Sequence, residues 1–70
     1  MKLINQETRA EIKPGDKLDS FRGETWIVSD PVGHPPKHEG SSGGIYVKQE
    51  GEDMSMHYYP SVFGCKWEEE

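Results

Sequence analysis

Cysteine is almost missing from this 70-residue chain: Cys65 stands alone. One thiol forms no disulfide within the chain and builds no cysteine-based zinc site, so the fold carries no covalent staple and a reducing, cytoplasmic setting is expected. Long apolar runs are missing too. The longest, Trp26-Ile27-Val28, falls far short of the roughly 18 residues that cross a bilayer, and no membrane association is expected. After Leu3-Ile4 the N-terminus turns polar, whereas a signal peptide needs an apolar stretch of about 7–15 residues, so no secretory leader is expected. Aliphatic content is also low. Val, Ile, Leu and Phe make up only 12 of 70 residues, below the roughly 20% at which strongly charged chains stay disordered. Against that stand a net charge of only −5 and seven aromatic residues, which supply large buried areas. A single folded, thin-cored domain over residues 1–70 is expected, its core within about 12–67.

Clustered basic residues are likewise lacking. Residues 1–50 carry eight acids against seven bases, while residues 51–70 carry Glu52, Asp53, Glu68, Glu69 and Glu70 against Lys66. The negative field belongs to the C-terminal third, which disfavours direct binding of nucleic acid, because phosphates are neutralised by clustered Lys and Arg.

What the chain does have is punctuation. Pro14-Gly15-Asp16, Arg22-Gly23 and Gly51-Glu52-Asp53 are turn signals separated by runs of strand length. Lys17 to Phe21 and Glu24 to Ser29 flank Arg22-Gly23 as a tight hairpin, and Ile45 to Glu50 with Met54 to Tyr59 form a second. No stretch sustains apolar residues at i, i+3, i+4 over three turns, and eight Gly with five Pro argue further against long helices. The reading is mostly β.

A two-residue turn sets Leu18 opposite Ile27 and Asp19 opposite Trp26, so Ile27 points inward and Trp26 outward. With Glu50 facing Ser55, Val47 faces Tyr58 and Gln49 faces Met56. Ile45, Val47, Met56 and Tyr58 then share the core side, and Tyr46, Lys48, His57 and Tyr59 the outer side. Farther on, Pro60-Ser61 breaks the strand in favour of one 3₁₀ turn, and Gly64 releases a last short strand bearing Cys65 and Trp67.

Pro14-Gly15-Asp16 opening a first strand, Arg22-Gly23-Glu24 turning into Trp26-Ile27-Val28, and Tyr59-Pro60-Ser61 before the final strand resemble, over roughly residues 12–67, the plan of the Src-homology-3-like barrels. The resemblance implies a small five-stranded barrel with a long Pro/Gly-rich loop and a short 3₁₀ turn before the last strand. It departs from the proline-peptide-binding signalling domains, whose acidic first-loop run and paired groove aromatics are not recognisable here, so no ligand class is implied. Very short acidic barrels of this kind are also similar to small accessory proteins of bacteria and their phages.

Asp30 to Gly44 holds three Pro, four Gly and two Ser, a composition that predicts a mobile loop, with Pro35-Pro36 projecting His34 and Lys37 outward. His34 and His38, with His57 and Cys65, are the candidate metal ligands, but no close-spaced pair stands among them: His34 and His38 lie four apart, a spacing that joins ligands only on a helix, which Pro35-Pro36 prevents. No metal or other cofactor is therefore expected. Cys65 reads as inert packing and Ser41-Ser42 lies in a flexible linker. Gly40, Gly43 and Gly44 lack the rest of a phosphate loop, so no catalytic residue is assigned and the chain is read as non-enzymatic.

Binding remains. In one reading, Trp26, Tyr46, His57 and Tyr59 with His34 and Lys37 of the 30–44 loop dock a protein partner. In the other, Glu50, Glu52, Asp53 and the Glu68, Glu69, Glu70 tail imitate a nucleic-acid surface and occupy a basic groove on a nuclease, polymerase or regulator. Homo-oligomerisation through an edge strand, around Arg9 to Ile12 or at Cys65-Lys66-Trp67, is a third reading.

Overall fold

A computed structural model describes residues 1–69. Six strands and one 3₁₀ helix follow in order: β1 (Lys2–Asn5), β2 (Lys17–Asp19), β3 (Thr25–His34), β4 (Gly44–Gln49), β5 (Met56–Tyr58), the 3₁₀ helix Pro60–Phe63 and β6 (Cys65–Glu68). The chain is mostly β, as its turn spacing predicts. The strands form two antiparallel sheets, β1-β6 and β2-β3-β4-β5, which do not join into a closed barrel among the described residues.

β1 is the strand that the sequence pattern did not announce. Asn5 ends it by accepting hydrogen bonds at its side-chain Oδ1 from the backbone N–H groups of Glu7 (2.8 Å) and Thr8 (3.1 Å), a local turn that competes with extended structure. The chain reverses there and runs back along β1, with the Ile12 N–H donating to the Leu3 carbonyl at 2.8 Å. On its other side β1 pairs with β6, Leu3 opposite Trp67 and Ile4 opposite Lys66. Backbone flanks both edges, so Leu3 and Ile4 are both buried. The two segments expected to serve as oligomer edges, Arg9 to Ile12 and Cys65-Lys66-Trp67, thus spend their β1-facing edges within the chain. The open ends of the larger sheet are β2 and β5.

The first hairpin corrects the expected register. Leu18 pairs with Trp26 and Asp19 with Thr25, leaving five connecting residues, Ser20 to Glu24, in place of a two-residue turn. Ser20 closes this loop: its N–H donates to the Glu24 carbonyl, and its Oγ accepts from the N–H groups of Arg22 and Glu24. The one-residue shift exchanges the two faces of the strand. Trp26 is therefore 6% exposed and part of the core, while Ile27 is half-buried.

In the second hairpin the register differs by two residues, Ile45 opposite Tyr58 and Val47 opposite Met56. An even shift preserves the faces. Ile45 and Val47 are fully buried, and Tyr46 and His57 face outward as a directly opposed pair. Met56 shares the side of Val47 but sits on the open edge strand, and it is exposed where the core was expected.

The Asp30 to Gly44 segment is the other correction. β3 continues to His34 and β4 begins at Gly44, so only residues 35–43 connect them. Between Val28 and Gly33 the pairing with β4 shifts, and β3 carries three residues more than its partner, with Pro31 within the interruption, where a missing N–H removes no ladder bond. The extra number is odd, so it turns His34, an even-numbered residue like the inward Trp26 and Val28, onto the outer face. Gly33 is required beside it, since a Cβ there would overlap the Gly44 carbonyl oxygen.

The core consists of Leu3, Ile12, Leu18, Trp26, Val28, Ile45, Val47, Phe63 and Cys65. Trp26, Tyr58 and Phe63 meet edge to face, with centroids 5.4–6.1 Å apart, an arrangement favoured by the ring quadrupoles. The 3₁₀ helix that delivers Phe63 starts at Pro60 and ends at Gly64, whose φ of 68° suits glycine.

Candidate functional site

Burial of Trp26 makes a cleft where the sequence reading expected an outer aromatic face. Five of its neighbours, Phe21, Arg22, Tyr58, Val62 and Phe63, line an open depression of about 260 Å³. The Phe21 N–H donates to the Val62 carbonyl at 3.1 Å, tying the loop after β2 to the 3₁₀ helix and fixing the two walls. Trp26 also borders a second depression with Gln49, Glu52, Met54 and Met56, and Tyr58 with Val62 separates the first from a third that reaches His57 and Tyr59. The result is a track of three adjoining hollows.

Large apolar side chains stand open along this track. Phe21 is 76% exposed, Met54 79% and Tyr59 68%. Within it the Trp26 indole Nε1 is buried and has no hydrogen-bond partner among the described residues. A buried N–H left unpaired costs about 1–3 kcal/mol, which makes this atom the least satisfied polar group of the site.

The remaining expected residues divide. His34, Tyr46 and His57 come together on the outer face: His34 Nε2 lies 2.9 Å from His57 Nε2, and the Tyr46 ring lies 5.9 Å and 5.4 Å from the two imidazoles. Tyr59 instead belongs to the track, and Trp26 is on the opposite side of the sheet from the histidines. Lys37 and His38 are exposed on the 35–43 connection.

The acidic residues are also separated in role. Glu50, Glu52 and Asp53 are exposed in the β4–β5 turn. Glu68 is held by Arg9 at 2.9 Å and Lys66 at 3.2 Å. The Arg9 hydrogen bond, with that of Lys66, lowers the Glu68 carboxyl below its ordinary range. Its charge is thereby matched inside the chain. Glu69 is exposed, and Glu70 lies outside the described residues.

Cys65 is buried, and burial pushes its thiol up to about 11, so the thiolate needed by a nucleophile is suppressed. Among the described residues no three His, Cys, Asp or Glu side chains group as metal ligands, and no helix is long and apolar enough to cross a membrane.

The residues missed by sequence reasoning are Phe21, Met54, Met56, Tyr58, Val62 and Phe63. Their signal was the one-residue register of the first hairpin, which decides whether Trp26 closes a cleft beneath them or stands outside. Comparison of the chain with protein-family models, with curated proteins and with solved structures finds no match.

Proposed function

We propose that the chain is a non-enzymatic protein-interaction module of Src-homology-3-like plan, working in the cytoplasm, which binds an extended segment of a partner protein along the Phe21–Trp26–Tyr59 track. The observation that carries this reading is the exposure of Phe21, Met54 and Tyr59 along three adjoining hollows, two of which Trp26 borders. An extended chain places alternate side chains in successive depressions. Phe21, Met54 and Tyr59 then gain burial at about 25 cal/mol per Å² of apolar surface, and thioethers adapt to more than one side-chain shape. Compared with the outer face expected from the sequence, this surface keeps Tyr59, Trp26 and, at the third hollow, His57, and leaves out Tyr46, His34 and Lys37.

A display library of unstructured peptides, selected on the purified protein in about 0.5 M salt, tests the reading, because at that ionic strength screening leaves only contacts within a few ångströms. Selected peptides are expected to shift the Trp26 indole N–H resonance and to bind Phe21→Ala at least about tenfold more weakly, in keeping with loss of an anchor worth about 1.4 kcal/mol or more. Peptides that leave that resonance unmoved overturn it. Binders recovered only at low salt, and lost on neutralising Glu50, Glu52 and Asp53, speak instead for the acidic surface as a mimic of nucleic acid.

A further inference from the structure

On the outer face of the sheet, next to the hollow that reaches His57, the two imidazoles of His34 and His57 form a site of a different kind. They reach it from different strands. His34 pairs with Gly44 across β3 and β4, and His57 pairs with Tyr46 across β4 and β5, so both side chains lean over Gly44 from opposite sides. Gly44 is the opening that admits them: a Cβ there would lie 2.6 Å from His34 Nε2 and overlap His57 Nε2. Beneath, the Gly44 carbonyl accepts a 3.1 Å hydrogen bond from Trp67 Nε1, which fixes the backbone floor.

We propose that His34 and His57 form a two-imidazole chelate for a divalent transition cation, copper(II) first because imidazole sites bind it most tightly among the divalent first-row metals. The separation suits one shared cation. Two nitrogens about 2.0–2.1 Å from a common metal lie about 2.9–3.3 Å from each other, according to the angle between them. The observed Nε2···Nε2 distance is 2.9 Å. The ring planes are 19° apart and the two Nε2 atoms point toward each other, so both rings turn for their lone pairs to meet on one cation; His57 is exposed, which leaves its ring room to do so.

Without a cation the same pair is one N–H···N hydrogen bond. His34 Nδ1 faces the Pro35 carbonyl oxygen at 3.4 Å, so a proton on Nδ1 leaves Nε2 free as acceptor and His57 supplies the Nε2–H. On binding, His57 moves to its Nδ1–H tautomer, with no net change in charge or proton count. Water fills the remaining coordination positions, which keeps the site open to a further donor. His38, the nearer histidine in sequence, takes no part.

The experiment is a titration of the purified protein with copper(II), nickel(II) and zinc(II) chlorides in a buffer free of amine and carboxylate ligands. It is followed by Tyr46 and Trp67 fluorescence and by the imidazole proton resonances. One cation per chain is expected, with an apparent Kd below about 100 µM for copper(II). Copper(II) should broaden the His34 and His57 ring signals before those of His38. His34→Gln and His57→Gln should each weaken binding at least about tenfold, since each leaves a single donor, and His38→Gln should leave it unchanged. Circular dichroism establishes that the variants are folded, and the broadening pattern in the unsubstituted protein gives an answer independent of them. Equal binding by His34→Gln and His57→Gln to that of the unsubstituted protein, prior broadening of His38, or no saturable binding overturns the chelate and leaves a hydrogen-bonded pair only.

Discussion

Gly44 shows how much a single missing Cβ decides. Two imidazole ends lie over it and Trp67 donates to its carbonyl, so an added Cβ displaces the rings. Gly44→Ala is expected to separate His34 from His57 while changing stability by no more than about 0.5 kcal/mol, because the atoms it displaces are the ends of side chains at the surface. Loss of the cross-ring nuclear Overhauser effect between the two imidazoles at a nearly unchanged urea midpoint checks it. An alanine variant that keeps the contact shows that the backbone yields instead. In sequence Gly44 looked like the end of a flexible Gly/Ser tract, because glycine supplies chain freedom and close approach with the same letter. His34 and His57 were both readable as candidates, one on a projecting loop and one on the outer face, but not as a touching pair. Their meeting depends on an odd interruption in β3, which no local spacing within the run from Asp30 to His34 encodes.

At the scale of elements, legibility followed the parity of the register. The second hairpin differs from its expected pairing by two residues, so Ile45 and Val47 still face the core and Tyr46 and His57 still face out. The first differs by one, so Trp26 and Ile27 changed places and the cleft went unseen. The determinant is Ser20, whose hydroxyl accepts from two backbone N–H groups and stabilises a five-residue loop over the tight turn at Arg22-Gly23. By contrast, Pro60 and Gly64 mark the 3₁₀ helix by backbone restriction, a cue that needs no partner strand. Ser20→Ala removes both acceptor bonds and is expected to cost about 1–2 kcal/mol, because Ser20 is buried and water does not replace it fully. Urea denaturation measures the loss, and faster exchange of the Arg22 and Glu24 amides locates it. An unchanged midpoint assigns the loop to packing of Trp26 instead.

For the molecule as a whole, nine residues form the core cluster and no disulfide supports it, so a single buried group weighs heavily in the balance. Cys65 is that group, facing the Phe63 carbonyl at 3.5 Å within the core. Burial raises its thiol from 9.0 to about 11. The folded state therefore favours the protonated form, and the unfolded chain releases its proton first as pH rises. The stability that the thiol contributes is complete below pH 9 and is lost progressively as pH climbs through about 11. Glu68 acts with the opposite sign. Its lowered carboxyl contributes above its ordinary value of 4.5 and loses that contribution as pH falls, in a salt-dependent way because the pair with Arg9 is open to water. Between these limits the fold is expected to be pH-insensitive in both terms. Urea midpoints of the unsubstituted protein and of Cys65→Ala, measured from about pH 7 to 11, separate the thiol from every other group that titrates there. The difference between the two curves should be flat to about pH 9 and then fall, and a difference that stays flat to about pH 11 shows that the thiol reaches solvent before the chain unfolds.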